Sequence, residues 1–165
     1  MKRNYWLTAG AIAIAAIAVI LYVGLKSPTA ADSRAMILPV DPDPLIVETA
    51  VGERSFTIEI ADDPGERERG LMFRDPLADD RGMLFEFPDV AERGFWMHNT
   101  PSPLDIIYID PRGRIVSIAK NATPQSDTVL PSNGPASGVL ELRAGRADEI
   151  GAKAGDKVRH PFFAE

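Results

Sequence analysis

The chain has 165 residues, 45% of them hydrophobic, and carries 24 acidic against 18 basic side chains for a formal net charge of −6. That balance excludes a nucleic-acid binder held mainly by phosphate contacts. The absence of cysteine excludes disulfides, thiol nucleophiles, zinc–thiolate sites and lipoprotein acylation.

Tyr5 to Leu25 is an uncharged stretch of 21 residues, broken only by Thr8, Gly10 and Gly24. At about 1.5 Å per residue a helix of that length spans a hydrocarbon core of about 30 Å. Residues 1–26 are therefore read as a single-pass anchor, and the alternative is a signal segment cleaved near Thr29-Ala30-Ala31. Lys2 and Arg3 precede the stretch, so the positive-inside bias places the remainder outside the cytoplasm, on the periplasmic side of an inner membrane. Residues 27–44 carry Pro28, Pro39, Pro42 and Pro44 among small and acidic residues, a composition expected of an extended tether. Residues 45–165 remain for one compact domain.

Leu45–Val51 and Arg54–Ala61 are rich in branched and aromatic residues and predict a hairpin turning at Gly52-Glu53. Asp62-Asp63-Pro64 followed by Gly65–Arg69 predicts a capped short helix that Gly70 ends. Met83–Phe87 and Phe95–Met97 predict two short strands. Leu104–Asp110 and Arg114–Lys120 predict a second hairpin, because Asp110-Pro111-Arg112-Gly113 carries the residues a type I turn favours. Asn121–Gly138, with three prolines and two glycines, reads as a long surface loop. Val139–Arg143, one helical turn at Ala147–Gly151 and a last strand through Val158 complete the chain. The expected fold class is α+β and β-rich: a single domain with a curled or barrel-like, mostly antiparallel sheet and one or two short helices.

Unusual residues concentrate in Gly70-Leu71-Met72-Phe73-Arg74, Gly82-Met83-Leu84-Phe85-Glu86-Phe87 and Phe95-Trp96-Met97-His98-Asn99-Thr100, the last running on to Pro103-Leu104-Asp105-Ile106-Ile107-Tyr108-Ile109-Asp110. With Val139-Leu140-Glu141-Leu142-Arg143-Ala144-Gly145 and Gly155-Asp156, they resemble the DUF192 family, small bacterial and archaeal proteins of unknown function. The resemblance covers about residues 45–160 and implies a fold and an exported or anchored context, not an activity. His98 departs from it, since the family commonly has Lys or Arg there.

Alternation puts Asp105 on one strand face with Ile107 and Ile109, where a buried carboxylate needs a cation or hydrogen-bond donors. Arg74, Asn99 and Thr100 are the candidates. Two readings stay open: a polar pocket that orients a ligand, or a structural tie that fixes the Asn99-Thr100-Pro101 turn. Glu141 faces away from Leu140 and Leu142 and is a possible second acid. Trp96 is either a core anchor or the wall of a ligand site. His98, Met72, Met83 and Met97 raise a Cu(I) site, against which alternation puts Met97 and His98 on opposite faces and methionines beside Phe and Leu more often fill core gaps. His160 is expected at the surface. No phosphate loop, dinucleotide fingerprint or nucleophile arrangement is present, and no cofactor or metal is implied.

The leading functional expectation is an envelope-facing, non-catalytic domain that binds a small molecule or carbohydrate-like ligand near Arg74, Trp96, His98, Asn99, Thr100, Asp105 and Glu141. The alternative is an interaction or accessory module for another envelope protein, and a hydrolase or Cu(I)-binding domain is a minor one.

Overall fold

Seven strands build one sheet in the computed structural model, which describes residues 33–163. The strands are β1 (Leu45–Thr49), β2 (Gly52–Ala61), β3 (Arg81–Phe95), β4 (Leu104–Ile109), β5 (Ile115–Ala122), β6 (Leu130–Arg143) and β7 (Lys157–Arg159). Two short helices join them, α1 (Pro64–Arg69) and α2 (Arg146–Glu149). The spatial order is β5-β4-β6-β3-β2-β1-β7, antiparallel throughout except for β2 beside β3. The β-rich α+β expectation holds, with the sheet curled into a half-barrel.

The curl brings the two edge strands together at one corner. Arg114 bridges Lys157, Ile115 N–H donates to Asp156 O at 2.9 Å, and Val158 N–H donates to Gly113 O at 2.7 Å. Gly113 sits there at φ 73°, and a Cβ on it would stand 2.3 Å from Val158 O, so only glycine permits the approach.

Both sheet faces are buried. Leu45, Val47, Phe56, Ile58, Leu84, Ile107, Ile109, Leu140 and Leu142 fill the concave side. Met83, Phe85, Ile106, Tyr108, Val139 and Met97 form a second core on the other side, under the residue 64–80 connection and the 96–104 loop.

Several boundaries differ from the sequence reading. The first hairpin turns at Ala50-Val51, since Thr49 pairs with Gly52. The two strands expected at Met83–Phe87 and Phe95–Met97 are one long β3, kept continuous across bulges between Glu86 and Gly94. Half of the expected Asn121–Gly138 loop is the first part of β6: Ala136 pairs with Ala91 and Leu130 with Phe95, and Ser132 and Ala136 are buried. Prolines 131 and 135 sit in this paired segment where the register shifts, which is where a strand tolerates them.

The helix α1 follows its sequence signal closely. Asp63 and Glu66 form a reciprocal capping box, and Gly70 ends the helix at φ 44°. Part of the stretch read as a tether is bound to the domain. Asp41 N–H donates to Ile58 O, Val40 bridges Glu59, and Met36 and Leu38 pack against the second core. An apolar residue every second position let this segment add to the sheet despite its prolines. The anchor reading of residues 5–25 lies outside the described residues, and among those described no helix is long and apolar enough to cross a membrane.

Candidate functional site

The sequence candidates divide into two places. Arg74 was one candidate partner for Asp105, and each of the two has other partners instead. Arg74 donates through both terminal nitrogens to the carboxylate of Glu59, at 2.9 Å each, and to Met36 O at 2.8 Å. Glu59 is 2% exposed, also accepts from Leu38 N–H at 2.9 Å, and lies 3.2 Å from Arg81. Burial pushes its carboxyl upward, but the bonds from Arg74 and Leu38, the Arg74 charge and the Arg81 bond outweigh that and hold it below the usual range.

Asp105 is fully buried and accepts two backbone N–H bonds of 2.8 Å, from Asn121 at the end of β5 and from Ala147 in α2. No side chain at Gly145 caps α2, so the strand carboxylate satisfies one of its free N–H groups instead. Asn99 and Thr100 are not among its partners. Its contacts tie β4 to the end of β5 and to α2, and not to the Asn99-Thr100-Pro101 turn.

Trp96, His98, Asn99, Thr100 and Glu141, by contrast, come together. Loop bonds fix the 96–100 turn: Met97 N–H donates to Ser126 O at 2.9 Å, Gln125 N–H to Thr100 O at 3.1 Å, and Phe73 N–H to Asn99 O at 2.8 Å. Thr100 Oγ1 donates to His98 O at 3.1 Å. Asn99 adopts φ 51°, a conformation asparagine tolerates better than most residues. Met97 is buried as a core anchor, and Trp96 and His98, which alternation put on the opposite face, point outward. Trp96 is 45% exposed, and the His98 ring stacks on it with centroids 5.1 Å apart and planes 28° from parallel. The Met97–Ser126 bond also carries the next loop past His98, where Asp127 Oδ1 meets His98 Nδ1 at 2.6 Å.

A cleft of about 380 Å³ lies between this turn and α1, lined by Gly65, Glu68, Arg69, Met72, Trp96, His98 and Asn99. Beneath it, sharing Arg69, Met72, Trp96 and His98, is a cavity of about 30 Å³ that reaches Phe85, Phe95, Thr100 and Glu141. That is room for about one water-sized group.

Glu141 is where it is because β6 is central. It pairs with Met83 on β3 and Ile106 on β4, and points into the second core. It is 4% exposed, and among the described residues no hydrogen bond or ion pair reaches its carboxyl. Burial pushes its pKa up to about 8, so it is protonated at neutral pH. Asp105 pairs with Leu142, which faces the concave core, so the two carboxyls considered together for hydrolysis occupy opposite faces of the sheet.

Other placements bear on the remaining expectations. Met83 and Met97 are buried among apolar side chains, and Met72 lines the cleft. Among the described residues no group of three or more His, Asp or Glu side chains is placed to hold a metal ion. His160, expected at the surface, has a side chain only 4% exposed, with Nε2 3.7 Å from Asp41 and Nδ1 3.9 Å from Glu86. Asp41, next to the Val40 that bridges β2, lies against its ring. Burial first, then Asp62 and Asp41, push the Glu86 pKa up to about 7.

Glu59, Asp127 and Glu86 were not singled out in the sequence. Glu59 was findable, since it interrupts Ile58 and Ile60 as Asp105 interrupts its own strand. Asp127 carries no local signal, because only the fold of its loop brings it to His98.

Residues 46–160 match the DUF192 family (Uncharacterized ACR), and the chain belongs to it. Two solved structures are similar. One, from Sinorhizobium meliloti 1021 and described as a "putative transcription regulator", is 36% identical with a TM-score of 0.73, over 78% of this chain and 100% of that one. The other, a protein of unknown function from Novosphingobium aromaticivorans DSM 12444, is 39% identical with a TM-score of 0.69, over 81% and 99% of the two chains. No curated protein matches.

Proposed function

We propose that the domain binds a small, carbohydrate-like ligand in the cleft between α1 and the Trp96–Asn99 turn. The observation that carries this reading is a half-exposed tryptophan beside a cavity that reaches the buried Glu141 carboxyl, which has no hydrogen bond or ion pair among the described residues. An indole face suits the apolar face of a sugar ring, and Glu141, Asn99 and Thr100 supply polar groups to orient hydroxyls. Arg74 and Asp105 leave the proposed site, each being engaged in the fold. A regulator acting on DNA is disfavoured by the net charge of −6.

The test is direct. In the full-length protein carrying Trp6→Phe, Trp96 is the sole tryptophan. Titration with neutral oligosaccharides is expected to give a saturable fluorescence change that Trp96-proximal Asn99→Ala weakens. No response to any oligosaccharide overturns the reading.

The apolar stretch of residues 5–25 supports a further part of the proposal, that the domain is displayed from an inner membrane on its outer side. Protease added to spheroplasts of an expressing bacterium is expected to digest the domain. Protection until the cells are lysed contradicts that placement.

A further inference from the structure

Two features of this cleft go beyond what ligand binding needs. Glu141 holds an isolated carboxyl at the end of a cavity wide enough for one oxygen-sized group. His98, on the wall shared by cavity and cleft, has its Nδ1 engaged by Asp127 at 2.6 Å. That contact orients the ring and leaves Nε2 as the nitrogen that can meet a substrate or a water. An uncharged acid and an oriented imidazole lining one small space are the two partners of acid–base hydrolysis.

We propose that the cleft is a hydrolytic centre for O-glycosides, with Glu141 as the acid and His98, positioned by Asp127, as the base. The proposal rests on the sugar-binding reading above. The Trp96 face would hold a ring in the outer cleft, and the glycosidic oxygen would enter the cavity toward Glu141. Water attacks the anomeric carbon, and the bond from that carbon to the glycosidic oxygen breaks. The departing oxygen takes the Glu141 proton, and His98 Nε2 takes one proton from the attacking water. The products are a free sugar and an alcohol, and His98 returns its proton through solvent to the Glu141 carboxylate. Acid assistance is needed because an alkoxide is a poor leaving group, and burial keeps the Glu141 proton in place until transfer. Asp105, the acid the sequence offered first, takes no part, since it faces the other core.

The experiment uses the full-length protein in detergent with cellotetraose, maltotetraose and chitotetraose, measuring new reducing ends alongside binding by saturation-transfer NMR. Wild type is expected to cleave at least one of them, with turnover falling as pH rises through about 8, where Glu141 loses its proton. Glu141→Gln keeps the shape and removes the proton, so cleavage drops by about 100-fold or more while binding persists. His98→Asn is expected to do the same. Asp127→Ala is expected to lower kcat with KM and melting temperature unchanged, which a purely structural loop contact would not do. Binding without cleavage by wild type overturns the proposal and leaves the binding reading standing. Neither binding nor cleavage overturns both, and cleavage that survives Glu141→Gln refutes the acid.

Discussion

Both terminal nitrogens of the Arg74 guanidinium meet the Glu59 carboxylate at 2.9 Å, in a pair whose side chains are 12% and 3% exposed. The same two residues hold the incoming chain, Arg74 through Met36 O and Glu59 through Leu38 N–H. Removing Arg74 leaves the buried Glu59 carboxylate with only the half-buried Arg81 and the Leu38 N–H, and frees the 36–38 segment. Arg74→Ala is expected to destabilise the domain by about 2–3 kcal/mol, less than the loss of a wholly unpaired buried charge because Arg81 remains. It should also expose the segment to limited proteolysis, read as new cleavage before β1. An unchanged melting curve with unchanged proteolysis contradicts this account.

Asp105 has a different kind of task, since both its oxygens are used on backbone N–H groups from two separate elements. Asp105→Ala strands those buried donors, each worth about 1–3 kcal/mol. The expected fall in melting temperature is about 5–20 °C, with oligosaccharide binding at the cleft unaltered in the molecules still folded. Asp105→Asn keeps one acceptor oxygen and is expected to recover part of the loss. Loss of binding without loss of stability in either variant would return Asp105 to the ligand site.

Much of the fold was legible because the chain states local rules plainly. The Asp63–Glu66 capping box, the Asp110–Gly113 turn and the Leu104–Ile109 strand follow from residue type and spacing alone. The Asn121–Gly138 stretch was not legible, since its strand half exists only by pairing with the far end of β3, a contact set by tertiary structure and placed around prolines that ordinarily argue against a strand. The site divides the same way. Alternation put Trp96 and His98 on one face opposite Met97, Glu141 opposite Leu140 and Leu142, and Asp105 with Ile107 and Ile109. It could not say which of two buried faces each acid meets, and that distinction separates the structural carboxyl from the one at the cleft. Arg74 was matched to the wrong acid because Glu59, on a neighbouring strand, was passed over.

Gly113 predicts a sharp local sensitivity. Its missing side chain is what lets β7 return to the start of β5, with Val158 O at 2.3 Å from where a Cβ would lie. Gly113→Ala is expected to displace β7 and lower the melting temperature by several degrees. Gly145→Ala makes the control: its φ of 81° is comparably left-handed, but nothing lies within 4 Å of the added carbon. Backbone strain is common to both variants, of order 1 kcal/mol, so the difference between them measures the closure contact. Equal losses would mean that the strand ends do not depend on that approach.

Stability should also vary with pH in a direction set by which carboxyls are raised and which is lowered. Glu141 and Glu86 titrate near 8 and 7 in the folded chain against 4.5 for an ordinary glutamate. Between those values the folded state binds more protons than the unfolded one, so stability falls as pH rises. The loss begins near pH 4.5 and is complete above about pH 8. Glu59 runs the other way: its lowered pKa contributes stability that is present above 4.5 and is lost as pH falls through its folded value. The expected profile is a maximum on the mildly acidic side, with decline toward pH 8 from Glu141 and Glu86 and toward strong acid from Glu59. Glu141→Gln removes the largest alkaline contribution, so at pH 8.5 the variant is expected to melt several degrees above wild type, and near pH 4.5 the two should converge. Thermal melts at those two pH values decide it. A variant that melts lower than wild type at pH 8.5 would mean that the carboxylate of Glu141 has a partner that stabilises its charge.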